Sequence, residues 1–153
     1  MIEGDGLMFD STKEDLKDIL RDADEGKLQL PDFQRSYVWA DSDVRSLLAS
    51  IGKGYPVGAL LTLESGGEVN FKPRLLEGVA PKQMSPSDLL LDGQQRITSL
   101  YQATWSKKPV LTQNDKHAEI ERYYYIDIRK ALASGADIED AILGVPARAI
   151  ISR

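Results

Sequence analysis

The stretch LLLDGQQRITSLYQ, residues 89–102, sets the tightest limit on the fold. Its three leucines form a short continuous apolar run, the pattern of a buried strand. Ile97, Leu100, Tyr101 and Thr104 then recur at i, i+3, i+4 and i+7 spacing, the stripe of an amphipathic helix over about residues 93–104. Asp92 and Gly93 alone separate the two patterns. A strand that turns through a glycine into a helix needs a sheet beside it and a core beneath the helix. An all-helical or all-strand architecture is thereby excluded.

The rest of the chain supplies what that unit needs. STKE at 11–14 matches a capping box, and Leu16, Ile19, Leu20 and Ala23 follow as a buried stripe before Gly26, so a helix is expected over 12–25. A short strand over 27–30 ends at Pro31. A second helix starts near Asp41 or Ser42, buries Val44, Leu47, Leu48 and Ile51, and closes at Gly52 and Gly54. Residues 59–64 and 68–71 read as a hairpin around the turn SGG at 65–67, and 74–76 as a further short strand. EGVAPKQMSPSD, 77–88, holds two prolines and a glycine and reads as an exposed loop, and the polar stretch 106–119 as a second one. Residues 122–128, with three consecutive tyrosines, read as a strand, and 130–134 and 138–143 as short helices. The expected class is α+β, a compact mixed β-sheet flanked by helices, in a single domain over 1–153. The sequence stops in the apolar AIISR, 149–153, without a terminator, which suggests the N-terminal piece of a longer protein.

Composition removes several chemistries. The 153 residues contain no cysteine and one histidine, His117, so disulfides, thiol catalysis, cysteine-ligated metals and multi-histidine metal sites are all out. No apolar run approaches the roughly 20 residues of a membrane-spanning helix, and the acidic start MIEGDGLMFD is not a signal peptide. These features fit a cytoplasmic protein with no membrane partner. The net charge is −5, so the surface as a whole does not attract nucleic acid and any anion site must be local.

Three stretches carry chemistry. In DGQQR, Asp92 is a favoured N-cap residue and Gln95 stands at capping-box distance, so helix initiation accounts for both. Gly93 and Arg96 do not fit that account. A glycine in the first turn costs about 0.5–1 kcal/mol against alanine, and a cation at the positive end of a helix costs about 0.3–1 kcal/mol. Both make sense if an anion sits at that helix end, held by free amides and a guanidinium. In LPDFQRSYVW, 30–39, Phe33 and Trp39 read as aromatic anchors on the core. Gln34 and Arg35 there form a second amide–guanidinium pair suited to a phosphate or a nucleobase, with Tyr37 as a candidate for base stacking. In GKGYPVG, 52–58, the glycines read as a helix end and turn, and Lys53 as either a solvated lysine or a phosphate contact. His117 reads as a surface residue, and Glu121 and Asp127 form no acid–base pattern.

Taken in order, LPDFQRSYVW, VRSLLASIGKGYPVGALLTLE and LLLDGQQRITSLYQA resemble the successive motifs of the domain of unknown function 262 family, over a motif core of about 28–104. That family is known as the N-terminal domain of GmrSD-like, modification-dependent (type IV) restriction systems and related phage-defence proteins. The resemblance implies a ParB/sulfiredoxin-like fold and a site for nucleotide binding and hydrolysis at D-G-Q-Q-R. It carries Asp92, Gly93, Gln94, Gln95 and Arg96 to the phosphate site, with Gln34 and Arg35 facing it. Sulfiredoxin chemistry itself is excluded by the missing cysteine. The implied ligand is a nucleoside triphosphate, whether GTP, ATP or CTP, with Mg²⁺ as a companion. The implied partners are DNA, through the full-length protein, and a C-terminal nuclease domain or subunit. Nuclease chemistry is not expected within this chain. A homo-oligomer stays open.

Three functional readings follow. In the first, the domain is a regulatory NTPase of a prokaryotic restriction or phage-defence protein. Arg96 and helix-end amides would neutralise phosphate charge, Gln94 or Gln95 would orient water, and Asp92 would hold a metal or accept a proton. In the second it is a module that reads DNA or a modified base without catalysis, with Arg35, Arg45, Lys53, Arg74 and Arg96 clustered and Tyr37 or Trp39 stacking on a base. In the third it is a scaffold domain with a relic site. The first makes a geometric demand: the Arg35 and Arg96 guanidinium groups must converge on one cleft beside the Gly93 amide.

Overall fold

The computed structural model describes residues 10–37, 39–67 and 71–150. Their order is α1 (Leu16–Glu25), β1 (Leu28–Pro31), α2 (Asp41–Gly52), β2 (Leu61–Glu64), β3 (Pro73–Arg74), β4 (Asp88–Asp92) and α3 (Gln94–Leu100). A π-helical turn (Tyr101–Trp105) follows, then β5 (Val110–Gln113), β6 (Glu119–Ile126), α4 (Ile128–Ala131), α5 (Ile138–Ala141), β7 (Ile142–Pro146) and α6 (Ala147–Ile150). The architecture is α+β. No helix among the described residues is long and apolar enough to cross a membrane.

Two sheets divide the work. The first has the order β2-β4-β1-β3. At its centre β1 and β4 run parallel, Leu28 opposite Asp88 and Gln29 opposite Leu89. Every residue of β1 is buried, as the middle strand of a two-faced sheet should be. The α1 stripe and the α3 stripe close on this sheet, so Leu20, Ala23, Leu28, Leu30, Leu90, Ile97, Leu100 and Tyr101 form one core cluster. Helix α1 stops where Gly26 takes φ +80 and Lys27 N–H reaches back to the Asp22 carbonyl, a left-handed C-terminal cap. The second sheet, β5-β6-β7, is antiparallel throughout.

Several expectations change. Helix α1 begins at Leu16, not 12, and Ser11 does not cap it; 11–15 holds no apolar side chain to bury, and burial is what sustains a short helix. Asp92 is not an N-cap either. It ends β4, and Gly93 occupies the cap position with no side-chain cap bond. The helix from Gly93 gives way to a π turn at Tyr101, and Thr104 is exposed with its hydroxyl bonded back to the Leu100 carbonyl. The loop 77–88 is not wholly exposed, since Val79 enters the core beside Leu76. The strand at 74–76 shrinks to Pro73–Arg74, paired with β1. The loop 106–119 contains β5, in which Val110 and Thr112 point inward and Leu111 outward. The helix at 138–143 stops at Ala141, and Ile142–Pro146 becomes β7, paired with β6. The proposed hairpin partner of 59–64 lies largely outside the described residues; β2 pairs antiparallel with β4.

Candidate nucleotide cleft

Strands β1 and β4 are parallel neighbours, so the chain leaves both at the same edge of the sheet. Crevices beyond the carboxyl ends of parallel strands are where open α/β sheets place their ligands. Here the two exits enclose a cavity of about 420 Å³, lined on one side by Phe33, Gln34, Arg35 and Trp39 and on the other by Leu91, Asp92, Gly93, Gln94, Gln95 and Arg96. Both amide–guanidinium pairs therefore contribute to the lining of one space, Arg35 on one wall and Arg96 with Gly93 on the other.

The amides knit the two walls together. Gln34 Nε2 donates to the carbonyls of Leu90 and Leu91, both at 2.9 Å. In return, Gln94 Nε2 donates to the Arg35 carbonyl at 2.5 Å and Gln95 Nε2 to the Ser36 carbonyl at 3.3 Å. A glutamine is long enough to cross to a neighbouring backbone and leaves its own carbonyl oxygen as an acceptor.

The cations behave unequally. Arg96 Nη1 and Nη2 donate to the carbonyls of Val57 and Ala59, each at 2.8 Å, and Asp92 lies 3.7 Å from Nη2. Its guanidinium thus fastens the 57–59 segment over the start of α3. Arg35 is exposed, and among the described residues no hydrogen bond or ion pair engages its guanidinium. Asp92 keeps 75% of its side chain exposed, which leaves its carboxylate available at the cleft.

Gly93 has a reason of its own. It sits at φ +96, and a Cβ there would stand 2.3 Å from a Leu60 methyl carbon. The left-handed turn and the Leu60 packing call for glycine before any ligand is considered.

Other candidates lie apart from the cleft lining. Lys53 pairs with Asp137 at 3.1 Å beyond the end of α2. Tyr37 turns inward, its hydroxyl 2.9 Å from Ser99 Oγ. Because Ser99 donates its proton to the Gln95 carbonyl, Tyr37 is the donor in that pair. Burial pushes the Tyr37 phenol up to about 12. Arg45 reaches the Glu139 carbonyl, and Arg74 pairs with Glu77, so the five cations do not form a single cluster. The aromatic rings at the cleft are Phe33 and Trp39. Phe33, expected as an anchor on the core, is instead 64% exposed and meets Phe71 edge-on at 5.0 Å.

Comparison with known proteins identifies the family. The family model for the GmrSD restriction endonuclease N-terminal domain matches residues 16–143. An uncharacterized protein of Methanocaldococcus jannaschii is 31% identical over 136 residues, 85% of this chain but 22% of that protein. No solved structure matches the chain. The chain belongs to the GmrSD restriction endonuclease N-terminal domain family.

Proposed function

We propose that the cleft binds a nucleoside triphosphate and hydrolyses it, making this the regulatory NTPase domain of a prokaryotic DNA-restriction or phage-defence protein. The observation that carries the reading is Arg35: an exposed guanidinium with no partner among the described residues, on the wall of a cavity of about 420 Å³ at the carboxyl ends of two parallel strands. A planar, permanently charged fork in that position suits phosphate oxygens. Phe33 and Trp39 on the same wall offer a face to a base.

The remaining residues take roles consistent with their geometry. Arg96, held by two carbonyls, shapes the phosphate end and adds charge to it. Gln95, half-buried in the lining, orients water, while the buried Gln94 fixes the Arg35 backbone. Asp92 accepts a proton from that water or supplies one oxygen to a cation. Among the described residues no group of three or more His, Asp or Glu side chains could cage a metal. A Mg²⁺ would take Asp92 and complete its shell with phosphate oxygens and water, the usual habit of that ion, and would neutralise charge on the phosphates. HNH-type DNA cleavage in a whole restriction protein would rest on another domain or subunit, since it needs more histidine than the one in this chain.

Titration with GTP, ATP and CTP, each with magnesium, tests the reading. Saturable binding of at least one is expected, weakened about tenfold or more by Arg35→Ala, in line with the loss of a charge-assisted contact, with circular dichroism and melting unchanged. Absence of binding to any of the three by the full-length protein overturns it. Salt-sensitive DNA binding in its place would point to a base-reading module, and neither activity to a scaffold.

A further inference from the structure

We propose that Arg74, outside the cleft, is a positioning residue for it: paired with Glu77, it holds the backbone of residues 34 and 35 so that the Arg35 guanidinium is presented to phosphate. The inference rests on the nucleotide reading above and concerns how that site is built.

Arg74 ends β3, opposite Leu30 of β1. Its Nη1 donates to Glu77 Oε1 at 3.0 Å, and its Nη2 is shared between the carbonyls of Gln34 and Arg35, both at 3.2 Å. The same Glu77 oxygen accepts the Tyr37 backbone N–H at 3.2 Å. Glu77 is itself fixed, since its carbonyl accepts Gln102 Nε2 at 2.8 Å from the π turn. The segment that carries Arg35 is therefore clamped at residues 34, 35 and 37 by one ion pair.

The Arg35 carbonyl takes two donors, Arg74 Nη2 and Gln94 Nε2. A carbonyl has two lone pairs, and both are used. A residue whose carbonyl is held by two donors thus has a head group engaged by none of the described residues. That combination is preorganisation: rotamer freedom is left to the side chain alone, and a small backbone displacement at such a site can cost up to about a hundredfold in activity. Glu77 Oε2 is buried without a partner among the described residues, which is unfavourable for a charged group.

The experiment is a double-mutant cycle in the full-length protein, read by the dissociation constants of fluorescent GTP, ATP and CTP analogues with magnesium. Arg74→Met is expected to weaken binding about tenfold in the wild-type background and less than about twofold in the Arg35→Ala background, the pattern of two residues acting as a unit. Its lowering of the melting temperature should be the same in both. Equal weakening in the two backgrounds, or none in the wild type, overturns the positioning role and leaves the nucleotide reading intact. No effect of Arg35→Ala itself overturns both. If Arg74→Met does not fold, Glu77→Gln carries the same cycle with a smaller expected loss, about threefold.

Discussion

Arg96 occupies the first turn of α3, where a cation faces unsatisfied amides, yet it is not left to bear that repulsion. Two carbonyls of the 57–59 segment receive its guanidinium at 2.8 Å, and that contact requires glycine at 58, because a Cβ there would lie 2.3 Å from Nη1. Gly93 is under the same kind of constraint from Leu60, with a left-handed backbone in addition. Gly93→Ala should therefore destabilise the fold by about 2–4 kcal/mol, the sum of left-handed strain and overpacking, measured as a shift in the denaturant midpoint; an unchanged midpoint would refute the packing argument. The oddity of both residues was legible in the sequence, since propensity and the helix dipole flag them locally. Its cause was not, because the partners of Arg96 are backbone carbonyls far along the chain, and a carbonyl carries no residue-type signal. Gln34, Gln94 and Gln95 were likewise visible as a repeated amide–cation pattern, while their bonding to the backbone of the facing wall was not.

Helix α2 joins the two sheets. Its first residue, Asp41, accepts Arg122 Nη1 at 3.0 Å and the Tyr124 hydroxyl at 2.6 Å, both from β6. Just before it, the Trp39 carbonyl accepts Gln113 N–H and Thr112 Oγ1 of β5, so one wall of the cleft is tied to the second sheet. Asp41 is 15% exposed at its side chain, and removing one partner of such a pair strands the other. Asp41→Ala should cost about 2–3 kcal/mol in a chemical denaturation curve, whereas Lys53→Ala, which breaks the exposed pair with Asp137, should leave the midpoint where it is. A midpoint equally insensitive to both would show that α2 is held by packing alone. The elements around the cleft were readable from periodicity and glycine: β1, α2, β4 and the start of α3 fall close to where the pattern puts them. The second sheet was read poorly, because β5 is short and set in polar sequence, and β7 begins directly at the end of α5 without a turn signal. Strands such as these form because β6 offers them an edge, a fact of tertiary structure.

Across the molecule, three tyrosines tie separate parts together. Tyr37 bonds Ser99, Tyr101 bonds Asp24 of α1 at 2.7 Å, and Tyr124 bonds Asp41. Burial first, then the neighbouring carboxylate for Tyr101 and Tyr124, raises all three phenols above their ordinary value, Tyr37 to about 12. The native state keeps these protons after the unfolded chain has lost them near pH 10, so this stability is present below about pH 10 and disappears as pH rises through the folded values. Melting temperature should be flat at neutral to mildly alkaline pH and fall from about pH 10 upward, with a shallower fall between about 10 and 12 for Tyr37→Phe; an identical slope for the variant would remove Tyr37 from the account. The parallel pairing of β1 with β4 has a consequence in time as well as in space. Leu28 meets Asp88, 60 positions further along the chain (88 − 28), and a contact of that separation closes late because the intervening loop must be ordered first. The two walls of the cleft belong to the two sides of that closure. During synthesis, then, a nascent chain could carry α1, β1 and α2 and still have no cleft until DGQQR has emerged and docked.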